Sequence, residues 1–158
     1  MTNKNVLLII TFLLLSLTLI SCKYNKVKSE EESVITKNDS TVQEGAKIAR
    51  LITENEGKYP QSDLKLLEDE DFKQRLKTLT ERNYEEIMDN FETETPIVSD
   101  NEVYKFTGCK AHACPSYLIT VLYDAKTGNM NVVVSKNGKV QIYKEDGKIT
   151  TTKALRVK

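Results

Sequence analysis

The chain has 158 residues, and its 23 lysines and arginines balance 23 aspartates and glutamates, so its formal net charge is zero. This length allows one modest domain and a tether rather than several domains. The sequence contains no internal repeat and no glycine-rich phosphate loop, and we expect no cofactor, no metal and no nucleic-acid partner.

The charge is unevenly divided along the chain. Residues 23–100 hold 12 basic and 19 acidic side chains, a net of −7, whereas residues 101–158 hold 10 and 4, a net of +6. An acidic half would attract a basic partner over long distances. We favour the more ordinary interpretation, in which glutamate-rich helices and a lysine-rich sheet are each simply solvated.

The N-terminus has the pattern of a secretory signal. Lys4 precedes an apolar run over residues 6–20, and a charged region followed by such a run is typical of a signal peptide. The run is short for a membrane span, which needs about twenty apolar residues. We therefore expect a removed signal rather than a transmembrane helix.

The end of this signal resembles the bacterial lipobox. The sequence L-I-S-C at residues 19–22 places Cys22 where that motif's cysteine becomes the lipidated first residue. This predicts a lipoprotein signal peptide over residues 1–21 and a lipid anchor on Cys22. The protein would then be held in the cell envelope, at the outer membrane or the periplasmic face. The alternative is an uncleaved anchor or an ordinary signal beside a chance cysteine.

The chain after Cys22 begins with a polar stretch and continues with helical patterns. Residues 22–40 show no sustained period and predict a flexible tether, so the folded domain is expected over residues 41–158. A helix is predicted over residues 41–56, with Ser40 or Thr41 as its cap.

Two further helices are predicted before Pro96. Phe72, Leu76 and Leu79 form an apolar stripe at helical spacing after a run of acids, which favours a helix near residues 69–82. Asn83 is the expected cap of a following helix over residues 84–91.

The second half changes to a strand pattern. Five segments, residues 103–108, 117–124, 130–135, 140–144 and 149–155, are rich in β-branched and aromatic residues. Glycine-containing turns separate the later ones. Short connections favour an antiparallel meander. The expected fold class is therefore α+β, with N-terminal helices packed on a C-terminal meander of about five strands.

One connection departs from this pattern, because it holds two cysteines and the only histidine of the chain. If Cys22 carries lipid, Cys109 and Cys114 remain as a pair in an oxidising compartment, where disulfides persist. A bond between them would close a very short ring. Its two alanines, Ala111 and Ala113, leave Lys110 and His112 as the side chains that can reach a partner.

Several roles are open to this loop. A metal site needs three or four ligands, and one histidine beside oxidised cysteines does not supply them. A redox dithiol more often shows the shorter C-x-x-C spacing, and a cysteine nucleophile needs a free thiol and an orienting group. A purely structural loop and a recognition loop remain. We favour recognition, because a rigidly presented imidazole suits a cleft that contains carboxylates.

The sequence C-K-A-H-A-C at residues 109–114, followed by a strand and D-A-K-T-G-N-M, resembles the signature loop of the inhibitor of vertebrate lysozyme (Ivy-type) family. That family's motif runs Cys-Lys-Pro-His-Asp-Cys, and the resemblance extends over about residues 103–134. It implies a disulfide-closed loop that protrudes from an α+β domain and plugs the active-site cleft of lysozyme.

The resemblance also assigns roles within the loop. Cys109 and Cys114 would form the disulfide, His112 would hydrogen-bond the catalytic carboxyl groups, and Lys110 would be a loop position. Ala111 stands where proline is usual and Ala113 where aspartate is usual. The first departure is expected to loosen the loop, and the second puts one contact in doubt.

Two classes of function follow, neither of them enzymatic. The first is an envelope lipoprotein that inhibits lysozyme, and the second is an envelope binding or structural lipoprotein with a different protein target. A thiol-active protein is a weaker third. An enzyme is not expected, because the carboxylates lie on predicted helix faces with no matched pair or base. The resemblance also makes a homodimer possible.

Overall fold

A computed structural model describes residues 37–156 of the chain, except 115 and 148. The predicted signal peptide at residues 1–21, the lipid site at Cys22 and residues 22–36 of the predicted tether lie outside the described residues. Within residues 37–156, no helix has both the length and the apolarity that a bilayer crossing requires.

The first helix, α1, spans Lys37–Thr53 and so begins four residues before the predicted start. The expected caps at Ser40 and Thr41 are wrong, because both residues lie inside the helix. Neither proline nor glycine occurs between Lys37 and Thr41, so the local sequence contains no residue that would stop the helix there. Beyond its end, the Asn55 side chain donates a 3.1 Å hydrogen bond to the carbonyl of Leu51.

Helix α2 spans Glu70–Thr80 and follows a 3₁₀ turn at Leu66–Glu68. Asp69 is its N-cap, and the carboxylate accepts hydrogen bonds from the backbone N–H groups of Asp71 and Phe72, both at 3.1 Å. Acids in the first turn complement the helix dipole, as predicted. Lys47 of α1 forms ion pairs with Asp69 at 2.6 Å and Asp71 at 2.8 Å, which joins the two helices.

Helix α3 spans Tyr84–Asp89 and follows a second 3₁₀ turn, Glu81–Asn83. The Asn83 side chain makes no capping hydrogen bond, so that prediction is wrong. The backbone passes from the 3₁₀ turn directly into α3. The helix therefore has no separate N-terminus whose free N–H groups would need a cap.

Six antiparallel strands follow and confirm the α+β class. They are β1 (Thr93–Glu94), β2 (Val98–Asp100), β3 (Val103–Cys109), β4 (Tyr117–Asp124), β5 (Met130–Lys136) and β6 (Lys139–Lys144). The order is β1-β3-β4-β5-β6, and β2 pairs with β3 beside β1. The four long strands were predicted from the sequence, whereas β1 and β2, which are only two and three residues long, were not.

The predicted strand at residues 149–155 does not form. Instead, Ile149 and Leu155 are buried together with Val103 and Leu122. Leu122 alternates along β4 with residues that face the helices, so this small cluster lies on the opposite face of the sheet. The C-terminal segment therefore covers the back of the sheet rather than extending it.

The main core lies between the helices and the other face of the sheet. Its fully buried members come from all three helices, from the first 3₁₀ turn, from the segment before β2 and from strands β3, β4 and β5; the largest are Phe72, Phe106, Ile48, Ile52, Leu66, Leu76, Ile87, Ile97, Ile119 and Met130. Along β4 the core members Tyr117, Ile119, Val121 and Tyr123 alternate with residues of the back face, as expected for a strand between two covered faces.

An ion pair connects α2 to the sheet. It was not predicted from the sequence. Arg75 donates from Nε to Glu145 Oε1 at 2.7 Å and from Nη2 to Oε2 at 2.6 Å, a bidentate geometry that favours a strong pair. Glu145 also accepts a 2.6 Å hydrogen bond from the backbone N–H of Met130. Burial opposes the charge of Arg75, but Glu145 outweighs burial and raises the pKa of the guanidinium.

A close contact between β3 and Phe91, two residues beyond the end of α3, fixes the end of the sheet. A Cβ atom on Gly108 would lie 2.5 Å from two ring carbons of Phe91 and 2.6 Å from a third. The Phe91 ring also packs edge-on against Phe106, with ring centroids 6.4 Å apart. Only glycine at position 108 lets the Phe91 ring lie directly on the strand, one residue before Cys109.

We expect Asp69→Ala to lower the free energy of unfolding at pH 7 by about 1 kcal/mol, through loss of the helix cap. Burial works against the Asp69 charge, but Lys47 and the capped N–H groups lower the pKa of the carboxyl below its ordinary 3.8. Because the pKa is lowered in the folded state, the charged Asp69 carboxylate stabilises the folded protein fully above about pH 4. This stabilisation is lost as pH falls through the folded-state pKa. Urea unfolding measures the free energy of unfolding of the variant and the parent at pH 7 and below pH 4. The two values should differ at pH 7 and converge in acid. The control variant is Asp146→Ala, because Asp146 is exposed and lies outside the helices and strands. A difference that stays constant with pH, or an equal loss in the control, would contradict this account.

Gly108→Ala should lower the free energy of unfolding by about 1–3 kcal/mol, because the added methyl group overpacks the contact with Phe91. The matched variant is Phe91→Leu, which shortens the opposing side chain. Urea denaturation of both single variants and the double variant measures the coupling. The methyl group should cost less in the Phe91→Leu background, and simple additivity would show that the two residues do not clash.

Candidate functional site: the disulfide-closed loop

The connection between β3 and β4 is closed by a disulfide between Cys109 and Cys114, with the two Cα atoms 4.9 Å apart. This separation lies within the usual range for a disulfide. Cys109 is the last residue of β3 and is buried, so the ring is attached directly to the sheet. Because both sulfurs are bonded, neither cysteine is present as the thiolate that a nucleophile or a metal ligand needs.

Backbone hydrogen bonds shape the interior of the ring. The Ala113 N–H donates to the Lys110 carbonyl at 2.9 Å, and the N–H groups of Ser116 and Tyr117 both donate to the Ala113 carbonyl at 2.9 Å. The Ser116 hydroxyl also donates to that carbonyl at 2.9 Å. The loop therefore consists of successive tight turns rather than an open excursion.

Two neighbouring segments hold the loop from either side. On the helical side, Glu92 accepts a 3.1 Å hydrogen bond from the Ala111 N–H, and its own N–H donates to the Cys109 carbonyl at 3.1 Å. On the sheet side, the Asn137 N–H donates a 2.7 Å hydrogen bond to the Ser116 carbonyl. Neither Glu92 nor Asn137 was predicted as a site residue, and no local pattern marks them, since both lie about twenty residues along the chain from their partners.

The hydrogen bond to Glu92 changes the expected structural effect of having alanine rather than proline at position 111. Proline, which is usual at this position in the family motif, has no backbone N–H and could not donate to Glu92. From the sequence, the absence of proline is expected to loosen the loop. In this chain, a hydrogen bond that proline could not make restrains the same position.

His112 lies at the tip of the loop. Lys110, Ala111 and His112 are exposed and Ala113 is half-buried. The backbone of His112 has φ of 63°, which lies in the left-handed region that few non-glycine residues adopt, although histidine is among the more tolerant. Within the described part of the chain, no hydrogen bond engages the imidazole, so it is presented outward.

A metal role finds no support in the described residues. They contain no group of three or more histidine, cysteine, aspartate or glutamate side chains placed to hold an ion. Metal coordination by a protein needs three or four such ligands.

A cleft of about 560 Å³ lies beside the loop, between α3 and the β5–β6 hairpin, and its lining includes Glu86, Tyr117, Lys136 and Tyr143. Lys136 forms an ion pair with Glu86 at 2.5 Å and lies 5.8 Å from the centroid of the Tyr117 ring. Burial, together with the Glu86 charge, raises the pKa of Tyr117 to about 12. The K-N-G-K turn predicts the hairpin, but the pairing of β4 with β5 places it beside the loop.

Comparison with known proteins agrees with this architecture. The family model described as inhibitor of vertebrate lysozyme (Ivy) matches residues 71–157, which is more than half of the chain. The match covers almost all of α2, all of α3, the six strands and the loop, and so reaches well beyond residues 103–134. The curated proteins and the solved structures yielded no match. The chain belongs to the Ivy family, the inhibitors of vertebrate lysozyme.

Proposed function

We propose that this protein inhibits a lysozyme by inserting the loop of residues 109–114 into the enzyme's active-site cleft, with His112 at the catalytic carboxyl groups. Family membership implies a lysozyme inhibitor rather than an enzyme. The observation that carries the plug mechanism is the exposed His112 at the tip of a ring that is closed by a disulfide and held from two sides.

The chemistry of the target suits an imidazole. A retaining lysozyme holds two carboxyl groups about 5 Å apart across the scissile bond. Imidazole has two ring nitrogens and can donate to one group while it accepts from the other when that group is protonated. His112 would therefore occupy the position that the reacting part of the substrate needs.

The energetics divide between the histidine and the shape of the loop. Hydrogen bonds to charged groups contribute about 1.5–3 kcal/mol each, whereas nanomolar binding requires about 12 kcal/mol. Most of the affinity must then come from the fit of the surrounding surface. A loop that is already ordered avoids part of the entropic cost of binding.

We further propose that the mature protein is a lipoprotein of the cell envelope, anchored through Cys22 at the outer membrane or periplasmic face. The support is the lipobox sequence at residues 19–22, after the apolar run. Multiple acyl chains give a stable anchor. Homodimer formation stays a prediction from the family resemblance.

The second candidate is an envelope binding protein with a different protein target. The observation that favours it is the tip sequence, since Ala111 and Ala113 replace the proline and aspartate of the family motif. Clearing of bacterial cell walls by a C-type lysozyme, measured by turbidity with and without residues 23–158, decides between the two candidates. Slower clearing supports inhibition, and no effect on any lysozyme class supports the different target.

We expect His112→Gly to weaken inhibition about tenfold to a hundredfold, the equivalent of one or two hydrogen bonds to a charged group. Glycine adopts the positive φ at this position without strain, so the loss reports on the imidazole and not on the backbone. Lys65→Gly is the matched control, because Lys65 is exposed, has φ of 55° and precedes a 3₁₀ turn in another part of the domain. An inhibition constant for His112→Gly equal to that of the control would sink the plug mechanism.

Opening the ring should weaken inhibition separately. In the Cys109→Ser, Cys114→Ser double variant we expect a loss of about tenfold, because binding must then order the loop. The free energy of unfolding should fall by about 2 kcal/mol, as the chain-entropy relation gives for so short a ring. Titration of lysozyme with this variant, at a temperature where both proteins are folded, measures the first effect. Full inhibition by the open-ring protein would show that pre-ordering of the loop plays no part.

A further inference from the structure

We propose that the β5–β6 turn, residues 136–139, is a second lysozyme contact beside the loop, with the ammonium group of Lys139 facing an acidic group on the rim of the enzyme's cleft. This inference rests on the proposed function, and it extends the binding surface from one segment to two.

The first support is the continuity of the two segments. The β3–β4 and β5–β6 connections emerge at the same end of the sheet, since Cys109 pairs with Leu118, Tyr117 with Lys136, and Lys136 with Lys139. The Asn137 N–H donates directly to the carbonyl of Ser116, at 2.7 Å. An enzyme that receives the loop in its cleft therefore meets the turn at the cleft's edge.

The turn is also held in a fixed shape. Asn137 and Gly138 have φ of 50° and 77°, as the two central residues of a tight Asn-Gly hairpin turn require. Lys136, the residue before the turn, is anchored to Glu86 of α3. Binding through a segment that is already ordered has a small entropic cost.

The charged residues near the turn indicate what kind of partner surface the turn would contact. Lys110 and Lys139 are exposed, and neither forms an ion pair within the described residues. Two acids at this end of the domain are engaged, because Glu86 pairs with Lys136 and Glu92 accepts from the Ala111 N–H. The end of the sheet that carries His112 therefore also carries two exposed lysines without an ion pair among the described residues, one in each of two adjacent connections. This arrangement complements a cleft whose catalytic groups are carboxyls.

An apolar residue lies next to Lys139, the proposed charged contact. Val140 follows Lys139 on the edge strand β6 and is 59% exposed. Interfaces commonly combine an apolar contact with a charged rim, and a partner seated on the turn would cover Val140. The partner that fits is the same enzyme that takes the loop.

The test is the inhibition constant of Lys139→Glu for a C-type lysozyme, with Lys144→Glu as the matched control. Both lysines are exposed ends of β6, but Lys144 lies at the end remote from the loop. Reversal of one rim charge should weaken inhibition by Lys139→Glu about three- to tenfold, mainly through slower association. Lys144→Glu should leave inhibition within about twofold of the parent, as expected for a charge outside the interface. Thermal unfolding of both variants establishes that they remain folded.

The outcomes separate this inference from the proposed function. If the parent protein inhibits and Lys139→Glu inhibits equally well, the second contact is wrong while the loop plug stands. Equal weakening by both variants would mean a general attraction between the proteins, which also overturns a specific contact at the turn. A parent protein that does not bind lysozyme overturns both proposals.

Discussion

The pairing of β3 with β4 is the constraint on which the loop depends. Seven residues of β3 run in register with β4, from Val103 opposite Asp124 to Cys109 opposite Leu118. The chain must therefore turn back at one fixed point on the sheet, and the disulfide closes the excursion at its base. A shift of one residue would move Cys109 to the other face of the strand. The position of His112 is thus set first of all by the register of the sheet, and only then by the conformation of the loop itself.

The helices contribute by holding this end of the sheet from one side. Phe91 lies against Gly108, and the next residue, Glu92, binds the backbone at Cys109 and Ala111. Toward the other end of the sheet, Arg75 of α2 forms an ion pair with Glu145, just beyond β6. These contacts make the helical half a support for the loop. The rigidity that the family motif places in a proline is here distributed over the disulfide, Glu92 and Asn137.

This distribution has a consequence for recognition. If the loop enters a cleft as proposed, its neighbours would accompany it, because Asn137 of the β5–β6 turn and Glu92, in the segment after α3, both hydrogen-bond to the loop region. The fit around the imidazole is then decided by several segments, each fixed in the free protein. In a binding surface of this kind, affinity comes from pre-ordered shape and a few charged contacts rather than from the loop sequence alone.

Local patterns in the sequence were sufficient for the elements whose cause is local. The apolar stripe of α2, the four long strands between glycine turns, and the close spacing of Cys109, His112 and Cys114 all depend on neighbouring residues. Only the tertiary structure decided the elements whose cause is remote. Residues 149–155 have strand-like composition, yet Ile149 and Leu155 gain more by burial against Val103 and Leu122. Arg75 meets Glu145 across 70 residues of sequence, and Glu92 and Asn137 reach the loop only because strand pairing brings them there, since periodicity and turn chemistry describe neighbours along the chain and not neighbours in space.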